Sequence, residues 1–249
     1  MSMFTRPCFA VFGRLYWGGM NDMAIIGTPS TSVGDYVKAI WGIAGSDVAT
    51  TKDVADRLSI APASVTNMFT RLREMGLVEY ERYHGASLTE AGCIEALRLV
   101  RRHRLIETFL MEHLGYSWDD IHDEAERLEH AVSDEFTERL AELLGHPNRD
   151  PHGAPIPDPD GTMPPEDSSP LSACTEGACA QIARVDHEDA TALSYLGKRG
   201  LMPGRSIVVR EVRAVDGVVT VEDEEGTTHS LGPSLADAIF VRGPSEDGS

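Results

Sequence analysis

Cysteine is scarce. Four in 249 residues are too few for a disulfide framework. Long apolar runs are missing too: no stretch of about 18 apolar residues occurs, so no transmembrane helix is expected. The first 23 residues are mildly apolar, but Arg6 and Arg14 interrupt them and no small-residue cleavage site follows. They do not read as a signal peptide, and Met20 or Met23 would serve equally well as a start. These absences lead to the expectation of a cytoplasmic protein. Basic residues are the last shortage, 22 against 40 acidic, for a formal net charge of −18. Phosphate binding wants a basic surface, so charge alone argues against a nucleic-acid partner.

What is present qualifies that argument. The chain is 41% hydrophobic and 25% charged, enough for real cores, and its length suits one to three compact domains. The acidity is uneven. Residues 32–84 carry six Lys or Arg against seven Asp or Glu and are nearly neutral, whereas residues 85–150 carry −8 and residues 151–249 carry −10. Eight of the fourteen prolines fall within residues 146–170, which read as an extended, semi-rigid linker. No internal repeat is visible.

The part before the linker reads as helices. Val33, Tyr36, Val37, Ile40, Trp41 and Ile43 recur at helical spacing over 32–45. A short helix with an acidic first turn follows Thr51. After a break at 59–61, Pro62 opens a helix running to about Met75 and ended by Gly76. Residues 77–89 suggest two short strands around a turn near Gly85. Long helices are expected over about 90–114 and 119–144. The part after the linker differs: one helical stretch at 188–196, then strands at 206–212, 218–223 and 228–231. Asp216-Gly217 and Glu225-Gly226 are turn signals, which together suggest a small β-barrel or β-roll.

Residues 51–90 have the layout of a winged helix-turn-helix. The helix from Pro62 would be the recognition helix and residues 78–89 the wing. Ala63, Ser64, Thr66 and Asn67, small or polar at its N-terminal end, suit base edges and phosphates in a major groove. Arg71 and Arg73 follow as phosphate contacts. The same layout also serves as a plain interaction fold, and Ser or Thr near a helix start is an ordinary cap. The wing makes the combination more specific.

A second constellation is more informative. His122, Glu126, Glu129 and His130 fall within an arc of roughly 100° on one helix. That arc borders the apolar stripe of Ala125, Leu128, Val132, Phe136, Leu140 and Leu143. The preceding long helix adds His103 and Glu107, spaced i, i+4, and the first helix adds Asp35. Crowded carboxylates at a core edge are costly unless a cation binds them. Imidazole with carboxylate is a ligand set for Mn²⁺, Fe²⁺ or Zn²⁺, and the count allows two sites. The bland alternative is a solvated acidic face with incidental histidines. Paired-helix di-metal enzymes use Glu-x-x-His twice, and here Glu-x-x-Glu-His occurs once.

Four stretches carry a family resemblance: Asp-Tyr-Val-Lys-Ala-Ile-Trp (35–41), Ser-Val-Thr-Asn-Met-Phe-Thr-Arg-Leu (64–72), Arg-Arg-His-Arg-Leu-Ile-Glu (101–107) and His-Asp-Glu-Ala-Glu-Arg-Leu-Glu-His-Ala-Val-Ser-Asp (122–134). On these the chain resembles the diphtheria toxin repressor family of metal-dependent transcriptional regulators, and more closely its manganese-responsive branch. The resemblance implies a primary site at Asp35, Glu126, Glu129 and His130. It implies an ancillary site at His103, Glu107 and His122, with Asp186 and Asp189 as further ligands from the C-terminal module. Iron-responsive members carry Met and Cys where this chain has Asp35 and Glu126, and exchanging sulfur for carboxylate suits the harder Mn²⁺. Lys38 stands where some manganese regulators have a bridging Glu, which favours two separate sites.

The implied architecture is a mainly α N-terminal part, a winged helix-turn-helix plus a helical dimerisation domain, followed by a small C-terminal SH3-like or FeoA-like β domain. The expected boundaries are 1–30 for a disordered tail, 31–90 for DNA binding, 91–146 for metal binding and dimerisation, 147–177 for the linker, 178–243 for the β domain and 244–249 for a tail. The implied function is a homodimeric repressor of metal-uptake genes. It would bind two Mn²⁺ per subunit and a palindromic operator in double-stranded DNA. An iron-dependent repressor, a di-metal enzyme and a metal-buffering module are the competing readings. Cys93, Cys174 and Cys179, and the histidines at 84, 113, 146, 152, 187 and 229, lack sequence-visible partners and are read as structural. The acidity then has a use: excess negative charge keeps the apo form off DNA, and metal-set geometry restores recognition.

Overall fold

The structure, a computed structural model, describes residues 31–45, 47–186 and 190–243. The expected tails at 1–30 and 244–249 lie outside them. The chain divides into two compact units, one up to Val100 and one from Arg101.

In the first unit, α1 (Thr31–Ala44) buries Val33, Tyr36, Val37 and Ile40, the helical stripe seen in the sequence. α2 (Thr51–Arg57) opens with a reciprocal capping box. The Thr50 hydroxyl oxygen accepts from the Asp53 backbone N–H (3.2 Å), and the Asp53 carboxylate accepts from the Thr50 N–H (3.3 Å). α3 (Pro62–Glu74) begins on proline and buries Val65, Phe69 and Leu72 at i, i+4, i+7. Its opposite face is therefore left to solvent. β1 (Val78–Glu81) and β2 (Gly85–Leu88) pair antiparallel, with Val78 opposite Leu88. The turn is 82–84, so Gly85 starts the second strand rather than forming the turn.

That glycine is obligatory. Its φ is +115°, and a Cβ there would lie 2.4 Å from the Ala49 carbonyl oxygen. The close approach lets Ala49 and Ala86 exchange two backbone hydrogen bonds of 2.9 Å, which tether the wing to the α1–α2 connection. One core of α1, α2, α3, the wing and the first turns of α4 (Glu90–Leu114) results.

In the second unit, the rest of α4 packs with α5 (Ile121–Glu129) and α6 (Asp134–Leu143) around Leu105, Leu110, Ile121, Ala125 and Leu140. The single helix expected over 119–144 is thus two. The apolar period continues across the break, but Ser133 caps α6 through the Phe136 N–H (3.2 Å). Arg102 of α4 stitches both ends. It donates to the Glu129 carbonyl oxygen (2.9 Å) at the end of α5 and to Asp134 (2.8 Å) at the start of α6. The expected stripe is also split: Ala125 and Leu140 are buried, whereas Phe136 and Leu143 are exposed at 47% and 61%.

A six-stranded antiparallel sheet follows, with strand order β3-β8-β4-β5-β6-β7. Its strands are β3 (Ser169–Pro170), β4 (Cys179–Val185), β5 (Ser206–Arg213), β6 (Val218–Asp223), β7 (Thr228–Leu231) and β8 (Ile239–Arg242). α7 (Ala190–Gly197) and α8 (Pro233–Ala238) complete the module. Both turn signals hold, with Gly217 and Gly226 at positive φ. Trp118, from the α4–α5 connection, is buried in this module's core with Leu193, Leu196 and Leu201. The Pro-rich segment is more than a connector: Asp150, His152 and Ile156 within it are buried.

Candidate metal centre

α4 is the spine of the centre. At 3.6 residues per turn His103 and Glu107 share one face, and both are buried. His103 Nε2 lies 2.9 Å from Glu107 Oε1 and 3.1 Å from His122 Nδ1, and that nitrogen is 3.2 Å from the same carboxylate oxygen. Three donor atoms therefore form a triangle with edges near 3 Å. An ion with bonds of about 2.1 Å at right angles has ligand–ligand edges of about 3 Å, so this triangle fits one face of a coordination shell.

Glu126, Glu129 and His130 come together at the end of α5. Glu129 is fully buried, and His130 is the residue that ends the helix rather than part of it. The four-residue arc of the sequence thus divides. His122 faces His103 and Glu107, and the other three form a separate group. His103 lies between the two, with Nδ1 2.6 Å from Glu129 Oε2 and 3.3 Å from Glu126. Asp35, the remaining member of the expected primary site, is half-buried on α1 in the first unit.

A third group was not legible in the sequence. Glu107, Asp150 and His152, all buried, offer donor atoms within 4.8 Å of one another. His152 has no clustered partner in the sequence, because Glu107 is distant along the chain and Asp150 sits in an apparent linker. Close backbone contact seats this segment. The Val185 N–H of β4 donates to the His152 carbonyl oxygen (2.8 Å), and Gly153 passes so near β4 that a Cβ would lie 2.1 Å from the Ala183 carbonyl oxygen. The His152 ring lies 4.9 Å from that of Trp118, centroid to centroid.

Electrostatics follow from the packing. Burial pushes Glu107 up, but His103, with hydrogen bonds from His122 and His152, holds it well below the usual carboxylate range. Burial and the neighbouring Glu107 push Asp150 up to about 6, against the pull of Arg104. For His152 burial works downward, yet the Glu107 and Asp150 carboxylates leave it raised above its ordinary value.

Asp186, an expected further ligand, is in none of the donor groups among the described residues. Its carboxylate is exposed and held by Arg184 (2.8 Å), which also binds Glu166 and stacks on Phe240. An ion pair within the C-terminal module satisfies it. Asp189 and His187 lie outside the described residues. His229 is buried against Asp223 (2.9 Å), a structural pair. Cys93, Cys174 and Cys179 belong to none of the donor groups among the described residues.

On α3, Ala63, Ser64, Asn67, Arg71 and Arg73 are exposed and Thr66 is half-buried. Thr66 donates its hydroxyl hydrogen to the Pro62 carbonyl oxygen (3.1 Å), and Arg73 leans toward the Tyr80 ring of the wing (6.0 Å). Ala63, Asn67 and Arg71 share the outer face opposite the buried stripe.

Comparison with known proteins agrees with this geometry. Three family models cover most of the chain. Residues 30–86 match the iron dependent repressor N-terminal DNA binding domain, residues 89–158 the iron dependent repressor metal binding and dimerisation domain, and residues 169–243 the FeoA domain. An uncharacterised helix-turn-helix-type transcriptional regulator of Methanocaldococcus jannaschii is 41% identical over 113 residues, 45% of this chain and 90% of its own. The iron-dependent repressor IdeR of Mycobacterium leprae is 25% identical over 219 residues, 83% of this chain and 94% of its own. A manganese-dependent transcriptional repressor solved in complex with manganese superposes with a TM-score of 0.79 at 39% identity, covering 85% of this chain and 99% of that one. The three matched domains thus take in the helix-turn-helix with its wing, the helices that carry the converging imidazoles and carboxylates, and the C-terminal β module. The chain belongs to the diphtheria toxin repressor family of metal-dependent, DNA-binding transcriptional repressors.

Proposed function

We propose that this chain is a manganese-activated repressor that acts as a homodimer on a palindromic operator and shuts off metal-uptake genes in the cytoplasm. The observation that carries the choice of metal is the donor chemistry. Among the described residues every candidate ligand is an imidazole or a carboxylate, and no thiol joins them. Oxygen-rich sets suit hard ions, and geometry with availability must then select Mn²⁺, because raw affinity ranks it low.

Two centres per subunit are proposed. The primary one is made by Asp35, Glu126, Glu129 and His130, and the second by His103, Glu107 and His122. A divalent ion supplies the positive charge that relieves repulsion among these carboxylates. Asp35 belongs to α1, which shares a core with α2, α3 and the wing. Drawing Asp35 toward the α5 ligands fixes the reading unit, and a dimer then presents two α3 helices one DNA turn apart. In the reading unit, Asn67 and Ser64 address base edges and Arg71 and Arg73 address phosphates. Exposed Phe136 and Leu143 on α6 suit the dimer contact.

Gel shifts on the gene's own upstream region with a panel of divalent metals test this reading. Mn²⁺ should give a specific shift that chelator abolishes. The doubly substituted Asp35→Met, Glu126→Cys protein should respond better to Fe²⁺. An unchanged metal preference would refute the hard-donor argument, and a shift that persists in chelator would refute the switch.

A further inference from the structure

We propose that the second centre is a bridged pair of metal ions, with Glu107 supplying one carboxylate oxygen to each. This goes beyond the two-ion reading above and rests on it. The Glu107 carboxylate presents its oxygens to two different donor groups. Oε1 is the atom 2.9 Å from His103 Nε2 and 3.2 Å from His122 Nδ1, whereas Oε2 faces His152 Nδ1 at 3.8 Å. Glu107 itself is only 3% exposed, so water does not screen it.

The His152 ring is preset for ligation. Its Nε2 lies 3.0 Å from the Trp118 carbonyl oxygen, which only accepts, so Nε2 carries a hydrogen. Nδ1 is therefore the nitrogen left to bind a metal when the ring is unprotonated, and it faces the second oxygen of the Glu107 carboxylate. Donors bound to one ion by bonds of about 2.1 Å stand roughly 3–4 Å apart, and 3.8 Å falls in that range. The carbonyl acceptor on the far nitrogen is the partner that metal-bound histidines ordinarily have.

Asp150 completes the group. Its Oδ1 accepts from the backbone N–H groups of His152 (2.8 Å) and Ala154 (3.0 Å), and its Oδ2 lies 3.4 Å from Arg104 Nε. The arginine already offsets one negative charge here. The ion at Asp150 and His152 is therefore the weaker of the pair and fills after the ion at His103 and His122.

Manganese binding to the full-length chain tests the pairing. Chelator-treated protein is dialysed against Mn²⁺ and bound metal is counted by elemental analysis, with electron paramagnetic resonance on the same samples. The wild type should saturate at three ions per subunit and show a spin-coupled signal as the last ion enters. His152→Ala and, as a milder change, His152→Gln should each remove one ion and the coupled signal. His122→Ala should also remove one. Glu107→Gln, nearly isosteric, should remove two and leave the ion at Asp35, Glu126, Glu129 and His130. Circular dichroism identifies any variant that fails to fold, and the two His152 variants back each other. Saturation at two ions in both the wild type and His152→Gln would overturn the bridged pair while leaving the manganese repressor standing. Loss of only one ion in Glu107→Gln would do the same. No manganese bound by the wild type would overturn both.

Discussion

Arg102 offers the sharpest link between packing and metal binding. Its guanidinium is 6% exposed, and it donates to the Glu129 carbonyl oxygen and to Asp134 across the α5–α6 break. Arg102→Met keeps most of the side-chain volume, so a cavity contributes little. The Glu129 carbonyl loses its buried donor, which costs about 1–3 kcal/mol. The Asp134 carboxylate is 60% exposed, and losing that ion pair adds only about 0–1 kcal/mol. Destabilisation of about 1–4 kcal/mol is therefore expected, read from urea unfolding in chelator. A second consequence separates this from simple destabilisation. Arg102 fixes the backbone of Glu129, a proposed ligand, and losing such an outer partner typically weakens metal binding by about 10- to 100-fold. Arg102→Lys keeps the charge but not the fork that reaches both acceptors, so it should recover only part of the loss. Unchanged stability together with unchanged Mn²⁺ affinity in Arg102→Met would refute the argument.

Three further predictions address other parts of the molecule. Gly85→Ala forces a Cβ onto the Ala49 carbonyl oxygen at positive φ. It should abolish DNA binding in gel shifts while Mn²⁺ binding, measured by calorimetry, stays near wild type. Arg71→Ala should weaken binding to operator and non-operator DNA alike and lower the slope of log affinity against log salt by about 1. His152 has a raised pKa in the fold, so its contribution to apo stability is full below its unfolded value of about 6.5 and disappears as pH rises through the folded value. The stability difference between wild type and His152→Gln in chelator should thus be larger at pH 6 than at pH 8, whereas Mn²⁺ affinity, which requires the unprotonated ring, should rise over the same interval.

Local signals in the sequence located much of this fold. The bounds of α4 and the strands β6 and β7 follow from helix stops, Gly turns and apolar period alone. The FeoA module as a whole needed the family resemblance, because β4, β8 and α8 carry no clear turn signal. The break between α5 and α6 is hard to read because the apolar stripe runs on across it and masks the local Ser133 cap, while Arg102, which fastens both ends, arrives from another helix. Site residues divide the same way. His103 and Glu107, or Glu126 and Glu129, share a helix face and are visible from spacing. His152 and Asp150 lie in a Pro-rich stretch with no periodicity, and long-range contacts with β4, Trp118 and Arg104 deliver them to Glu107. Asp186 is paired with Arg184, two residues away, a contact that spacing alone does not reveal.

The central claim is that metal sets the DNA-competent state. Its most direct test is fluorescence anisotropy of a labelled duplex from the gene's upstream region, titrated with protein at fixed salt in saturating Mn²⁺ and in chelator. Binding about 10- to 100-fold tighter with Mn²⁺ is expected, the range of ordinary allosteric coupling. Equal affinity in the two conditions would contradict the account.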